Sequence, residues 1–395
     1  VLPAAQYRRW LTLRRIRSVI EQVAGPPSEA IYHNTTRLLV GGEEAFPAME
    51  ALIASAKRTI HVEMYMVHDD AIGRRMRDLL ALKAAQGVRV RMVYDSVGSI
   101  GTPDEFFDPI REGRGDVRTY LLFNPIARGN INRRNHRKLI IADGSAAILG
   151  GINWTVDSLP PEQGGGGWID HAVQLRGPVV PWIDLHFWRT WLLAGGPAPG
   201  SEQSLYPPQR RAGRSTVIPR SNRTFQREPV ILDCVISAVE GAHSSIRIMH
   251  SYFIPNSRLL KALRDASRRG VAIEIITPGN SDVPIAQAAT RYYYPRLIRS
   301  GARVYERQGP VLHAKVMTID GKWSLLGSSN LNYRSFLLNE ELCVEIRGRQ
   351  FARRLDRDMD RNRAASRRVR FSDTRAWSFG MRLFHFICHL FRRWI

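Results

Sequence analysis

One short pattern occurs twice in this chain and constrains the fold more than any other feature. NHRKLIIADG (135–144) and LHAKVMTIDG (312–321) both read His-x-Lys-x4-Asp-Gly. With 11 His, 6 Lys and 36 acidic residues among 395, chance supplies roughly 0.015 matches per chain. A Gly-rich Asn follows each copy at equal spacing, in GGIN (150–153) and GSSN (327–330). The upstream flanks repeat as well. RTIHVEMYM (58–66), AIGRRMRDLLALKAAQ (71–86) and VRVRMVYD (88–95) match SSIRIMHSYFIP (244–255), SRLLKALRDASRR (257–269) and VAIEIITP (271–278). Both flanks read strand, helix, Gly, strand, a βαβ unit in which Gly87 or Gly270 ends the helix. The expected fold is therefore α/β, with two pseudo-symmetric α/β/α halves packed face to face around one site.

The spacing inside the motif has a chemical meaning. Residues two apart on a strand share a face, so His136 and Lys138 point together, as do His313 and Lys315. LIIA and VMTI bury the strands, and Asp143-Gly144 and Asp320-Gly321 are hairpin signals. The returning strands bring Asn153 and Asn330 back toward the His-Lys end. Two Lys and two Asn can hold a phosphate and spread its transition-state charge without a metal. Two His can divide the rest, one attacking phosphorus and one protonating the leaving oxygen. A working imidazole needs its other nitrogen fixed by an acceptor. Asp170 and Glu341, each at a strand start after its motif, are the candidates. Asp143 and Asp320 admit two readings: members of the catalytic set, or turn residues with no chemical role.

Charge narrows the partner. Lys and Arg number 58 against 36 Asp and Glu, a net charge of +22, which calls for a polyanion, either nucleic acid or an anionic membrane. No run of about 18 uncharged apolar residues is present, so no transmembrane helix is expected. Cys234, Cys343 and Cys388 lie far apart without a CxxC pair, which excludes a disulfide framework and a Cys-based zinc site. Both ends of the chain look amphipathic. Leu383, Phe384, Ile387, Leu390, Phe391 and Trp394 share one helical face, and Arg382, His385, His389, Arg392 and Arg393 the other. Near the start, Trp10, Leu13, Ile16, Ile20 and Val23 form a stripe beside five arginines. Packing on the body and in-plane membrane attachment are both open to such helices, and aromatic faces flanked by Arg favour the second. The domain reading is a basic amphipathic N-terminal helix (1–30), a first half (31–195), a Pro/Gly/Arg-rich exposed linker (196–225), a second half (226–350) and a membrane-associating tail (351–395). Four glycines at 164–167 read as a mobile loop, either a lid or a surface insertion.

At these residues the chain resembles the phospholipase D superfamily, whose signature is HxKxxxxD followed by GSxN, present twice. Within it, LLVGGEEAFPAM (38–49), HVEMYM, GGIN and GSSNLNYRSFLLNEE look most like bacterial cardiolipin synthases lacking N-terminal transmembrane helices. Gly151 stands where GSxN has Ser, a change common in that branch. The resemblance implies a metal-independent, cofactor-free ping-pong transfer. One His attacks a phosphatidylglycerol phosphodiester, glycerol leaves, and a second phosphatidylglycerol accepts the phosphatidyl group. By analogy His136 is the nucleophile and His313 the general acid, then base, and pseudo-symmetry permits the swap. Glu341 would orient His136 and Asp170 would orient His313. Ser328 would add a phosphate contact. Glu63 would lie near the site, with His250 in the matching place of the second copy. The implied partner is an anionic phospholipid membrane, at the cytoplasmic face of a bacterial inner membrane, with no stable nucleic-acid partner. The alternatives are a lipid hydrolase or nuclease of the same chemistry, and a membrane-binding module with a fossil site, against which the intact duplicate set argues.

Overall fold

Each repeated flank folds into a parallel βαβ unit, and the local chemistry shows why. Residues 4–25, 30–120, 133–199, 206–222 and 228–394 are described by the computed structural model. They form two units, Val1–Val156 with Ala172–Pro219, and Asp157–His171 with Arg220–Ile395.

The first unit contains α1 (Ala4–Ala24), β1 (Ile31–Val40), α2 (Gly41–Ser55), β2 (Thr59–Met64), α3 (Ala71–Ala85) and β3 (Arg89–Asp95). It continues with α4 (Asp108–Glu112), β4 (Asp116–Tyr120), β5 (Lys138–Ala142), β6 (Ala146–Gly150), β7 (His171–Arg176), α5 (Val179–Leu193) and β8 (Ser215–Asn222), within which the chain leaves the unit. The Asp70 carboxylate caps α3 by accepting from Ile72 N and Gly73 N at 2.9 and 3.0 Å. Ile72, Met76, Leu80 and Ala84 then bury one face, and Gly87, at φ +86, turns the chain into β3. The strands run in the order β8-β1-β7-β6-β5-β2-β3-β4. β2, β3 and β4 are parallel, whereas β5 is antiparallel to both β2 and β6.

The second unit repeats this plan. Its elements are α6 (Val230–Glu240), β9 (Ser245–His250), α7 (Ser257–Arg268), β10 (Ala272–Pro278), α8 (Pro284–Arg291), α9 (Tyr294–Arg299), β11 (Arg303–Arg307) and β12 (Lys315–Ile319). There follow β13 (Trp323–Gly327), α10 (Tyr333–Leu337), β14 (Glu341–Arg347), α11 (Arg349–Ala364), β15 (Ser366–Val369), α12 (Phe371–Ala376) and α13 (Phe379–Leu390). The order is β15-β11-β10-β9-β12-β13-β14. Asn256 caps α7 through Leu259 N, and Gly270, at φ +87, ends the turn after it.

Three boundaries differ from the sequence reading. The N-terminal helix is part of the first unit, because Ile16 and Ile20 of α1 are fully buried. The segment 196–222 is not wholly an exposed connector. Tyr206 is buried with its hydroxyl donating to Asp184 at 2.7 Å, and 215–222 is the strand β8; residues 200–205 and 223–227 lie outside the described residues. The second body does not stop at 350. Phe351, Ala352, Leu355 and Met359 bury one face of α11, and β15 pairs antiparallel with β11, Val369 opposite Val304. Arginine-rich composition hid that helical spacing. The Gly164–Gly167 stretch is a hydrogen-bonded turn, with Gly165 N and Gly167 N donating to Pro160 O and Leu159 O.

At α13 the usual polarity of a packed helix is inverted. His385 and Cys388 are buried, and His389 stacks on Tyr292 at 4.1 Å. Phe379, Leu383, Phe384, Phe386, Ile387, Leu390, Phe391 and Trp394 are all exposed. Among the described residues, no helix is long and apolar enough to cross a membrane.

Candidate active site

The motif builds the same local geometry in both units. Lys138 and Lys315 open β5 and β12, and each ammonium donates to the carbonyl of the histidine two residues earlier, His136 O and His313 O. That contact ties each lysine back beside its imidazole. Both lysines are buried, as are Asn153 and Asn330.

In the second unit the histidine is held from two sides. Asp170 Oδ2 lies 2.6 Å from His313 Nδ1 and 3.7 Å from Lys315 Nζ. The chain reaches this position by pairing: Ile169 N donates to Val311 O and His313 N to Ile169 O, both at 2.9 Å. Burial alone would raise the Asp170 carboxyl, but the charges of Lys315 and His313 outweigh it and hold it at about 2. Burial, then Lys315, push His313 below its ordinary value despite the carboxylate. The Asp170 carboxylate thus fixes the ring through Nδ1, and the Lys315 ammonium stands 3.3 Å from Nε2. Burial also lowers the Lys315 ammonium. The Trp168 ring centre is 5.2 Å from that of His313, and Ser251 Oγ donates to Asn330 Oδ1 at 2.7 Å.

In the first unit His136 is half-buried and packs edge-on against Tyr65 at 4.6 Å, with the Lys138 ammonium over the same ring. Asp95 holds the approach to the motif by accepting from Asn135 N at 2.8 Å. The buried Asn153 carbonyl oxygen has no hydrogen-bond partner among the described residues, leaving acceptor capacity beside Lys138's strand.

The architecture is that of a recognised family. A family model described as "Cardiolipin synthase, PLD-like domain" matches residues 49–191 and 235–363, both copies of the repeat. The chain belongs to this family. It is 33% identical over 314 residues to cardiolipin synthase A of Pseudomonas aeruginosa, covering 79% of this chain and 63% of that protein. It is 32% identical over 309 residues to cardiolipin synthase of Geobacillus thermodenitrificans, covering 78% and 62%. The chain thus spans less than two thirds of these relatives' length. Among solved structures, phosphatidylserine synthase of Haemophilus influenzae aligns over 96% of this chain and all of its own, with a TM-score of 0.72 at 14% identity, a likeness of fold.

Not every residue the family motif nominates reaches the His-Lys end. Asp143 and Asp320 sit five residues beyond the lysines, about 16 Å along the strand, and are corrected to structural roles. Asp143 accepts from Lys57 N, Arg58 N and Thr59 N, at 2.7 to 2.9 Å. Asp320 accepts from His243 N, Ser244 N and Ser245 N. Both have positive φ, near +51 and +52, a conformation Asp tolerates in turns. Each ties the hairpin to the start of the neighbouring strand.

Glu63 is a second correction. It lies opposite Leu139 in the β2/β5 ladder, on the face away from Lys138, and meets the buried Arg137 guanidinium at 3.4 Å. The residue opposite Lys138 is Met64; opposite Lys315 it is His250. The match to His250 is therefore Met64, one register position from Glu63. His250 is buried, its Nδ1 has no partner among the described residues, and burial with Lys315's charge lowers it to about 3. The Ser328 hydroxyl donates to Glu341 and accepts from Leu342 N at 3.1 Å. Glu341 is fully buried and accepts from Asn339 as well. Sequence reasoning missed Tyr65 and Trp168. Trp168 stands two residues before Asp170, the strand period that could have flagged it.

Proposed function

We propose that this protein is a cardiolipin synthase-type phosphatidyltransferase acting at a membrane surface. The observation that carries the reading is the buried Asp170–His313–Lys315 cluster, since a carboxylate-oriented imidazole beside an ammonium suits phosphoryl transfer. Family membership and the second His-Lys pair support it.

In the proposed reaction both histidines serve one phosphorus. An imidazole nitrogen of His136 attacks the phosphodiester of phosphatidylglycerol. The N–P bond forms, the P–O bond to glycerol breaks, and His313 supplies the proton that the departing oxygen takes. The acceptor hydroxyl of a second phosphatidylglycerol then gives its proton back to His313. Its oxygen bonds phosphorus and the N–P bond breaks, giving cardiolipin. Asp170 and the anionic substrate together stabilise the imidazolium that this exchange requires. Lys138, Lys315, Asn153 and Asn330 offset charge on the phosphoryl oxygens. Glu341 orients His136 in this scheme.

The exposed apolar face of α13 supports peripheral attachment to a bacterial inner membrane at its cytoplasmic face. Incubation with phosphatidylglycerol vesicles followed by lipid mass spectrometry tests the reaction. Cardiolipin with equimolar glycerol is expected. Phosphatidic acid alone would replace transfer with hydrolysis, and unchanged lipid would remove both.

A further inference from the structure

Beside α13 the second unit holds a cavity of about 260 Å³ whose walls include Tyr292, Arg299, Arg375, Trp377, Arg382 and His385. It shares no residue with the His-Lys site. Several arginines elsewhere in this unit are matched by acids: Arg291 by Glu306, Arg361 by Asp358, Arg367 by Glu306 and Asp373. The three that line this cavity are not. No Asp or Glu lines it, and no ion pair among the described residues involves Arg299, Arg375 or Arg382. Asp373, the acid nearest in sequence, is occupied by Arg370 N and Arg367.

The remaining contacts hold the arginines in place without neutralising them. The Arg382 guanidinium donates to Arg375 O, and Arg299 lies over the Phe371 ring at 4.9 Å. His385 is 4% exposed and its Nδ1 has no hydrogen-bond partner among the described residues. Burial, with Arg291 next, lowers it to about 4, so it adds hydrogen-bonding capacity and no charge. Three uncompensated guanidiniums around a cavity of headgroup size are a receptor for a phosphate-bearing anion.

The source of that anion follows from what surrounds Arg382 and His385 on α13. Their neighbours Leu383, Phe384 and Ile387 are exposed apolar residues, so a ligand seated here has hydrocarbon-compatible surface beside it. We propose that this cavity is a recognition site for the phosphodiester headgroup of an anionic phospholipid, separate from the catalytic site, which seats α13 on the membrane. The proposal rests on the membrane-surface reading above and gives that surface its lipid preference.

The test is vesicle flotation of the full chain in about 0.1 M salt, with phosphatidylglycerol-containing or pure phosphatidylcholine vesicles. The variant is R299Q/R375Q/R382Q. The control, R349Q/R353Q/R357Q, removes the same charge from exposed positions on α11, and the thermal midpoint of each checks folding. The pocket variant is expected to lose at least about tenfold in binding to the anionic vesicles, while the control loses less than about threefold. Equal losses in the two variants, or none in the pocket variant, overturn the site. Release by inorganic phosphate beyond that by chloride of equal ionic strength assigns the cavity to free phosphate and overturns the lipid. A wild-type chain that floats equally with both vesicles defeats the headgroup site alone; one that floats with neither defeats the membrane reading itself.

Discussion

Asp170 and His313 stand 143 positions apart in sequence, and their side chains meet at 2.6 Å. Asp170 is encoded after the first motif, yet it belongs to the unit that carries the second. The carboxylate fixes the imidazole's tautomer and stabilises the protonated ring that the proposed reaction forms. Asp170→Asn keeps the shape and removes the charge. It should lower kcat by about 10³- to 10⁴-fold with little change in KM, measured on phosphatidylglycerol vesicles.

The same residue sets a pH dependence of stability. Its carboxyl is depressed on folding from 3.8 to about 2, so its contribution is fully present above the unfolded value and disappears as pH falls toward about 2. Urea unfolding of the wild type should therefore weaken between about pH 4 and 2 more steeply than that of Asp170→Asn. Parallel curves would show that the carboxylate is not held as described.

His136→Ala and His313→Ala should each abolish turnover, and the double variant should be scarcely worse than either, because groups acting as one unit are not additive. Single-turnover lipid assays measure all three. Full activity in either single variant would remove the two-histidine scheme.

Asp143 and Asp320 predict the opposite pattern. Each satisfies three backbone N–H groups far from the lysines. Asp320→Ala should cost about 1 to 2 kcal/mol of stability, as loss of a helix cap does, and leave kcat within about threefold at a temperature where the variant is folded. A collapse of kcat in a folded Asp320→Ala protein would return the residue to the catalytic set.

These contrasts show what the sequence could carry. Strand period two was enough to set His136 with Lys138 and His313 with Lys315, because it depends only on local backbone geometry. The spacing of Ile72, Met76 and Leu80 was enough for α3. Register between strands was not legible: Met64, not Glu63, faces Lys138, and a one-residue offset moves a side chain to the other face of the sheet. Nor was the role of the motif aspartates, since Asp before Gly serves a turn as well as a reaction. The α11 face was obscured by arginines that occupy its exposed side.

The direction of the last helix was likewise ambiguous until packing was known. An amphipathic pattern gives two faces and does not say which one meets the protein. In α13 the face with His385 and Cys388 packs inward, and Phe384 and Ile387 are about half exposed. Replacing both by Asp should leave the thermal midpoint nearly unchanged, because exposed substitutions alter stability by about 0.5 kcal/mol or less. Membrane affinity should fall steeply, since each large apolar side chain withdrawn from the bilayer forfeits about 1.5 to 3 kcal/mol. Flotation with anionic vesicles measures the membrane affinity, and cleavage of a short-chain, water-soluble phosphodiester lipid provides the reference. Binding lost with short-chain cleavage retained fits a membrane-facing helix. Equal loss of both would mean that Phe384 and Ile387 support the body of the second unit.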